Sequence, residues 1–177
     1  MNLTTTEKYA LAVLEAKSKL TTLKNQERAL YLAASCVWEM MQTESVTIDK
    51  KGKLRVSVPL PEMLFYCKPI YERLAKKPMK PTKVPYDCIW MNKRIKTLVE
   101  RIADDLIGKS VLVVEQQNSL LESGTAKKLL NKQELSALKK ALKQMDSDFN
   151  TYIKKVKKRF QAGKAVILAS IASSTSR

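Results

Sequence analysis

Apolar residues recur at three- and four-residue steps from Gln26 to Thr43. Leu30, Ala33, Ala34, Val37, Met40 and Met41 share one face, which predicts an amphipathic helix. A first helix is predicted upstream. Leu3 precedes Thr4-Thr5-Thr6-Glu7, a threonine cap followed by an acid, and Tyr9, Leu11, Val13 and Leu14 open the periodic run. Ser18–Asn25 reads as a loop. The period then changes to two. Ser45-Val46-Thr47-Ile48 and Leu54-Arg55-Val56-Ser57-Val58 alternate around Asp49-Lys50-Lys51-Gly52, and Pro59 and Pro61 end the pairing. A short helix is predicted over Ile70–Lys76, followed by an exposed, extended basic link over Lys76–Pro85. Ile95, Leu98, Val99, Ile102 and Leu106 form the stripe of a helix over Trp90–Ile107, with Gly108 at its C-terminus. Val111–Val114 is strand-like, and Ser119–Leu121 is the predicted return arm of a second hairpin. Helical periodicity resumes from Asn131 to about Phe160. A last helix is predicted over Ala162–Ala172, with Ser173–Arg177 frayed. No internal repeat stands out. The pattern predicts a mainly α fold, a helical bundle core with two short β-hairpins, as one domain over residues 1–177.

Composition changes the picture in two ways. Lys and Arg number 33 against 17 Asp and Glu, a net charge of +16, while 45% of residues are apolar. The chain can therefore bury a core, and its charge favours phosphate-bearing or acidic partners. Histidine is absent altogether. That excludes Ser/His/Asp and Cys/His nucleophilic sites and histidine metal centres. Cys36, Cys67 and Cys88 form no Cys-x-x-Cys pair, so they read as small core residues in a reducing compartment. No metal, cofactor or enzymatic activity is expected. Met1–Lys8 is polar, which argues against a leader, and the apolar run Ala165–Ala172 is too short to span a bilayer. The expected location is cytoplasmic, with any membrane contact peripheral.

Four segments carry a family resemblance. They are the opening Leu3-Thr-Thr-Thr-Glu-Lys-Tyr-Ala-Leu-Ala-Val-Leu, and Glu39-Met40-Met41 leading into Val46-Thr47-Ile48 and Gly52. Then come Glu100-Arg101-Ile102-Ala103-Asp104-Asp105-Leu106-Ile107-Gly108-Lys109-Ser110-Val111-Leu112 through Leu121, and the apolar Ala165–Ala172. Together they resemble the Golgi phosphoprotein 3 family across most of the chain, most specifically over residues 100–121. The resemblance implies a mainly helical fold, phosphatidylinositol 4-phosphate recognition and adaptor work on glycosyltransferase tails. It places Lys96 on the first of the family's paired basic lipid ligands and Val99 on the second. Arg28 matches a further basic ligand when the alignment is shifted, and residues 21–26 hold no counterpart of the family's pocket tryptophan.

Two basic stretches are candidate anion sites. The first comprises Lys76, Lys77, Lys80, Lys83, Lys93, Arg94 and Lys96, with Arg73 just before it and Arg28 added by the resemblance. Cations there would hold phosphate by charge and hydrogen bonds. The second is Lys154, Lys155, Lys157, Lys158 and Arg159, interleaved with Tyr152, Ile153, Val156 and Phe160 on a helix. Trp38 and Trp90 read as core residues, Asp104 and Asp105 as surface charges, and Glu39 as a partly buried capping or ion-pair residue. The leading expectation is a peripheral, adaptor-like module for anionic lipid headgroups or an acidic protein. The alternative is a winged-helix-like nucleic-acid binder using Trp90–Ile107 as recognition helix.

Overall fold

The computed structural model describes residues 3–13, 26–90, 92–114, 126–128 and 147–174. The predicted loop at Ser18–Asn25 and the helical stretch 131–146 lie outside them. The chain is mainly helical. Its helices are α1 (Thr5–Val13), α2 (Gln26–Gln42), α3 (Lys68–Lys76), α4 (Val84–Trp90), α5 (Asn92–Gly108) and α6 (Ser147–Ser174). A 3-10 helix, Glu62–Cys67, leads into α3. Strands β1 (Val46–Ile48) and β2 (Leu54–Val56) pair antiparallel, as do β3 (Leu112–Val114) and β4 (Ala126–Lys128). Among the described residues no helix is long and apolar enough to cross a membrane.

The start of α1 is a reciprocal capping box. The Thr4 N–H donates to Glu7 Oε2 at 2.7 Å, and the Glu7 N–H donates to Thr4 Oγ1 at 3.2 Å. The first hairpin turns on Gly52, whose φ of +68° suits a residue without Cβ. Asp49 holds the turn together. Its Oδ1 accepts from the N–H groups of Lys51 and Lys53, and its Oδ2 from Arg55 Nε at 2.7 Å. Arg55 and these N–H groups draw its carboxyl down to about 2.

Several expectations are corrected. The second hairpin closes on Ala126–Lys128, which pairs with β3 in the register Leu112 to Lys128; the arm expected at Ser119–Leu121 lies outside the described residues. The basic link is not extended throughout. Leu54 N–H donates to Met79 O at 2.7 Å, so Met79 is buried beside β2, and the chain then turns into α4 at Val84. The helix expected over Trp90–Ile107 is α5, and α4 precedes it from Val84. The two helices expected after Asn131 are, over the described residues, the single helix α6, which continues to Ser174. Gly108 ends α5 as expected, and the left-handed residue after it is Ser110, at φ 55°. Ser110 N–H donates to Ile107 O and Val111 N–H to Leu106 O, a Schellman closure. Replacing Ser110 with Gly is expected to raise stability by about 1 kcal/mol, since a Cβ strains this conformation. Chemical denaturation of the variant checks this.

A repeat hidden in the sequence is visible in the backbone. Helix α2 ends at Gln42, turns through left-handed Glu44 at φ 55° and enters β1 at Val46. Helix α5 ends at Gly108, turns through Ser110 and enters β3 at Leu112, each position 66 residues further on. Both units pack on α1. The core runs between them through Leu11, Leu30, Val37, Met40, Leu74, Leu98, Leu106 and Leu112, all fully buried. Trp38 packs against Phe149 edge-on and stacks on Tyr152, so α6 closes over α2. All three cysteines are buried free thiols. Burial raises Cys67, with Cys36 adding to it, and pushes Cys88 up to about 12. Neither Cys67 nor Cys88 is poised to act as a nucleophile at neutral pH.

Candidate functional site

Two polar constellations stand out, one buried and one nearer the surface. The buried one surrounds the N-terminus of α1, where backbone N–H groups need acceptors. Glu39, three residues before the end of α2, supplies them. Its Oε1 accepts from the Thr6 N–H at 2.9 Å, and its Oε2 from the Thr6 hydroxyl at 2.7 Å and the Tyr66 hydroxyl at 2.8 Å. Thr4 Oγ1 lies 2.7 Å from the Tyr66 oxygen. One orientation satisfies every donor: Glu7 N–H to Thr4, Thr4 hydroxyl to Tyr66, Tyr66 hydroxyl to Glu39. Burial, then the Glu39 charge, push the Tyr66 hydroxyl far above its ordinary value.

Asp105 occupies the corresponding place in the second unit and also faces α1. Expected as a surface charge, it is half-buried, because α1 covers this end of α5; Asp104 beside it is exposed. Lys109 Nζ lies 2.8 Å from Asp105 Oδ2 and donates to Glu7 Oε1. The Asp105 contact is an ion pair by distance, without hydrogen-bond alignment. Burial raises the Glu7 carboxyl and Asp105 adds to it, while Lys109 and the Thr4 N–H offset this only in part. At Asp105 burial also acts upward, but bonding to Glu7 and Lys109 outweighs it and the group ends below its ordinary range. Lys109 ends raised because its two carboxylate partners outweigh its own burial.

The direction at Glu7 gives a pH prediction. A carboxyl raised above its unfolded value contributes stability that is complete below about pH 4 and is lost as pH rises through the raised value. Glu7→Gln retains a capping-box side chain but does not titrate. The variant should therefore gain on the wild type between about pH 4 and pH 7. Denaturant melts at both pH values measure the difference, and a constant gap would contradict it.

The second constellation is basic, partly buried, and centres on Asp87 of α4. Its Oδ2 binds Arg73 Nε of α3 at 3.2 Å and Arg94 Nη1 of α5 at 2.6 Å. Three elements thus bring two guanidinium groups onto one oxygen, leaving the trio at +1 with unused donors on both arginines. All three side chains are only about a quarter exposed or less (24%, 26% and 20%). The expected lysines lie on the same segments of the chain. Lys77 follows Arg73 by one helical turn, Lys83 precedes Asp87 by one turn, and Lys76, Lys77, Lys80, Lys83 and Lys96 are exposed. Among the described residues no ion pair engages these five.

The second basic stretch lies on a helix that packs beside α4. The Tyr152 hydroxyl donates to Pro81 O at 3.1 Å, and Phe160 packs edge-on against Tyr86. Helix α6 therefore runs beside the 80–83 turn and α4. Lys154, Lys155, Lys158 and Arg159 are exposed there and Lys157 half-buried. Arg28 stands half-buried near the start of α2, on a different element from the cluster. Lys93 belongs to the first turn of α5, one residue before Arg94. Sequence reasoning missed Asp87 as the organiser, because its two arginine partners stand on other helices. No family model and no curated protein matches the sequence.

Proposed function

We propose that this chain is a peripheral, adaptor-like binding module for anionic phosphate-bearing headgroups, with Arg73, Arg94 and the lysines of the same segments as its ligand site. The observation that carries the reading is the convergence of Arg73 and Arg94 on Asp87. Asp87 holds two guanidinium forks in place, so less side-chain entropy is lost when they bind phosphate. The exposed lysines add long-range attraction, each contributing about 1 kcal/mol near an anionic surface. The exposed α6 cations add to the positive charge of the surface. The resemblance to the Golgi phosphoprotein 3 family supports a phosphoinositide-like headgroup and a cytoplasmic membrane surface. An acidic protein would use the same charges but would not need two fixed forks. This is a binding chemistry and needs no catalytic set.

A groove-reading nucleic-acid role suits the geometry less well. Helix α5 packs against α1, α2, α3, α4 and the 3-10 helix. Its exposed strip mixes Lys96 and Arg101 with Asp104, which would repel phosphate. Vesicle co-sedimentation tests the proposal. Binding should require anionic lipid, increase with a phosphoinositide and weaken with salt. Equal binding to neutral and anionic vesicles at moderate salt would sink it.

A further inference from the structure

Four of the five large apolar side chains exposed among the described residues fall between residues 48 and 65: Ile48 (54%), Val58 (44%), Met63 (54%) and Phe65 (54%). In the 3-10 helix Met63 and Phe65 alternate with buried Leu64 and Tyr66, so the core is filled without them. The segments that carry these residues lie together. The Tyr71 hydroxyl of α3 donates to Val58 O at 3.0 Å, and α3 packs on both β2 and the 3-10 helix. Leu54 of β2 bonds to Met79, in the middle of the Lys76–Lys80 stretch. The apolar residues thus border the basic site.

Cations stand among them. Lys50, Lys51 and Lys53 are exposed on the hairpin and Lys68 at the start of α3. The acids of the segment are Asp49, Glu62 and Glu72. Arg55 holds Asp49, and Lys68 lies 3.8 Å from Glu72. A surplus of positive charge therefore surrounds apolar side chains carried on a hairpin, a loop and a single short helix. Such features can enter a soft surface one by one.

We infer that this face seats the protein in the interfacial layer of an anionic bilayer. Ile48, Val58, Met63 and Phe65 enter the headgroup–acyl boundary, and the neighbouring lysines remain at phosphate level. The inference rests on the proposed headgroup binding and gives it an orientation: the Asp87 site meets its ligand from the side on which the apolar residues enter. Hydrophobic transfer adds to charge attraction, so binding keeps a part that salt does not remove.

The test uses the full chain and phosphatidylcholine–phosphatidylserine vesicles. The pair Met63→Ser and Phe65→Ser should weaken binding at least about 10-fold and make the remainder fully salt-reversible. In a separate variant, Phe65→Trp should be quenched by brominated acyl chains. Undiminished binding by the serine pair, or no quenching, overturns the seating face and leaves headgroup binding intact. No binding of the wild type to any anionic vesicle removes the proposed function, and this inference with it. A wild-type dimer in sedimentation that the serine pair abolishes would give the face to a second copy of the chain and overturn the inference.

Discussion

Replacing Glu39 with Ala should destabilise the fold by about 3–5 kcal/mol, a large part of the total stability of an ordinary domain. Glu39 accepts from the Thr6 N–H, the Thr6 hydroxyl and the Tyr66 hydroxyl, all buried. Its removal leaves the Thr6 donors without an acceptor at the point where α1 begins and opens a cavity at the same place. Tyr66 keeps Thr4 as a neighbour, so it loses less. Two controls separate the causes. Tyr66→Phe removes one donor and leaves the Thr6 bonds, and should cost about 1 kcal/mol. Glu39→Gln keeps volume and one acceptor but presents an amide donor to a hydroxyl, and should fall between the two. Denaturant melts with equal slopes would measure all three. A loss under about 1 kcal/mol for the alanine variant would mean that α1 is not held through this carboxylate.

Changing Arg73 and Arg94 together to Gln should weaken binding to anionic vesicles by more than about 30-fold at moderate salt, the loss expected of any two cations. This takes about 1 kcal/mol per cation and 1.4 kcal/mol per tenfold. The expected loss exceeds that from any two of the flanking lysines, because Asp87 holds the two arginines in one place. Removing both also leaves Asp87 unpaired and facing phosphate. Adding Asp87→Asn to the pair therefore tests the origin of the effect. It should recover part of the affinity if repulsion contributes, and it preserves the fold if the unpaired carboxylate had disturbed α4. Asp87→Asn alone should weaken binding despite raising the net positive charge. In that variant the forks lose their common anchor, so positional order is removed while positive charge increases. Tighter binding would show that charge alone governs the site.

The two predictions concern different carboxylates with similar tasks. Glu39 gathers neutral donors in the core, where losing a partner costs the full desolvation of what remains. Asp87 gathers cations at the surface, where water screens the pair and the value lies in orientation. The first should therefore appear in stability and barely in binding of the folded protein. The second should do the reverse.

Much of the local structure was legible in the sequence. Helix α2 followed from its three- and four-residue apolar steps, the start of α1 from Thr4 and Glu7, and the first hairpin from alternation around Asp49 and Gly52. These features depend on residues within a turn or two of one another, so the sequence contains all the partners involved. The basic stretches were legible as composition, and Trp38 and the cysteines as core. Glu39 stood out as a carboxylate among apolar residues, but its partners did not.

Only the tertiary structure decided which distant residues meet. Arg73, Asp87 and Arg94 lie on three helices, and their meeting depends on how α3, α4 and α5 rotate and cross, which no spacing within one helix specifies. The return strand at 126–128 was not singled out, because its pairing with β3 is decided across space. The repeated helix–hairpin unit stayed hidden because apolar identity varies between the copies while backbone geometry is shared: Glu44 and Ser110 both adopt the left-handed turn that neither residue type announces. Met63 and Phe65 are exposed because Leu64, Tyr66 and Cys67 already fill the space beneath them, which residue type does not announce.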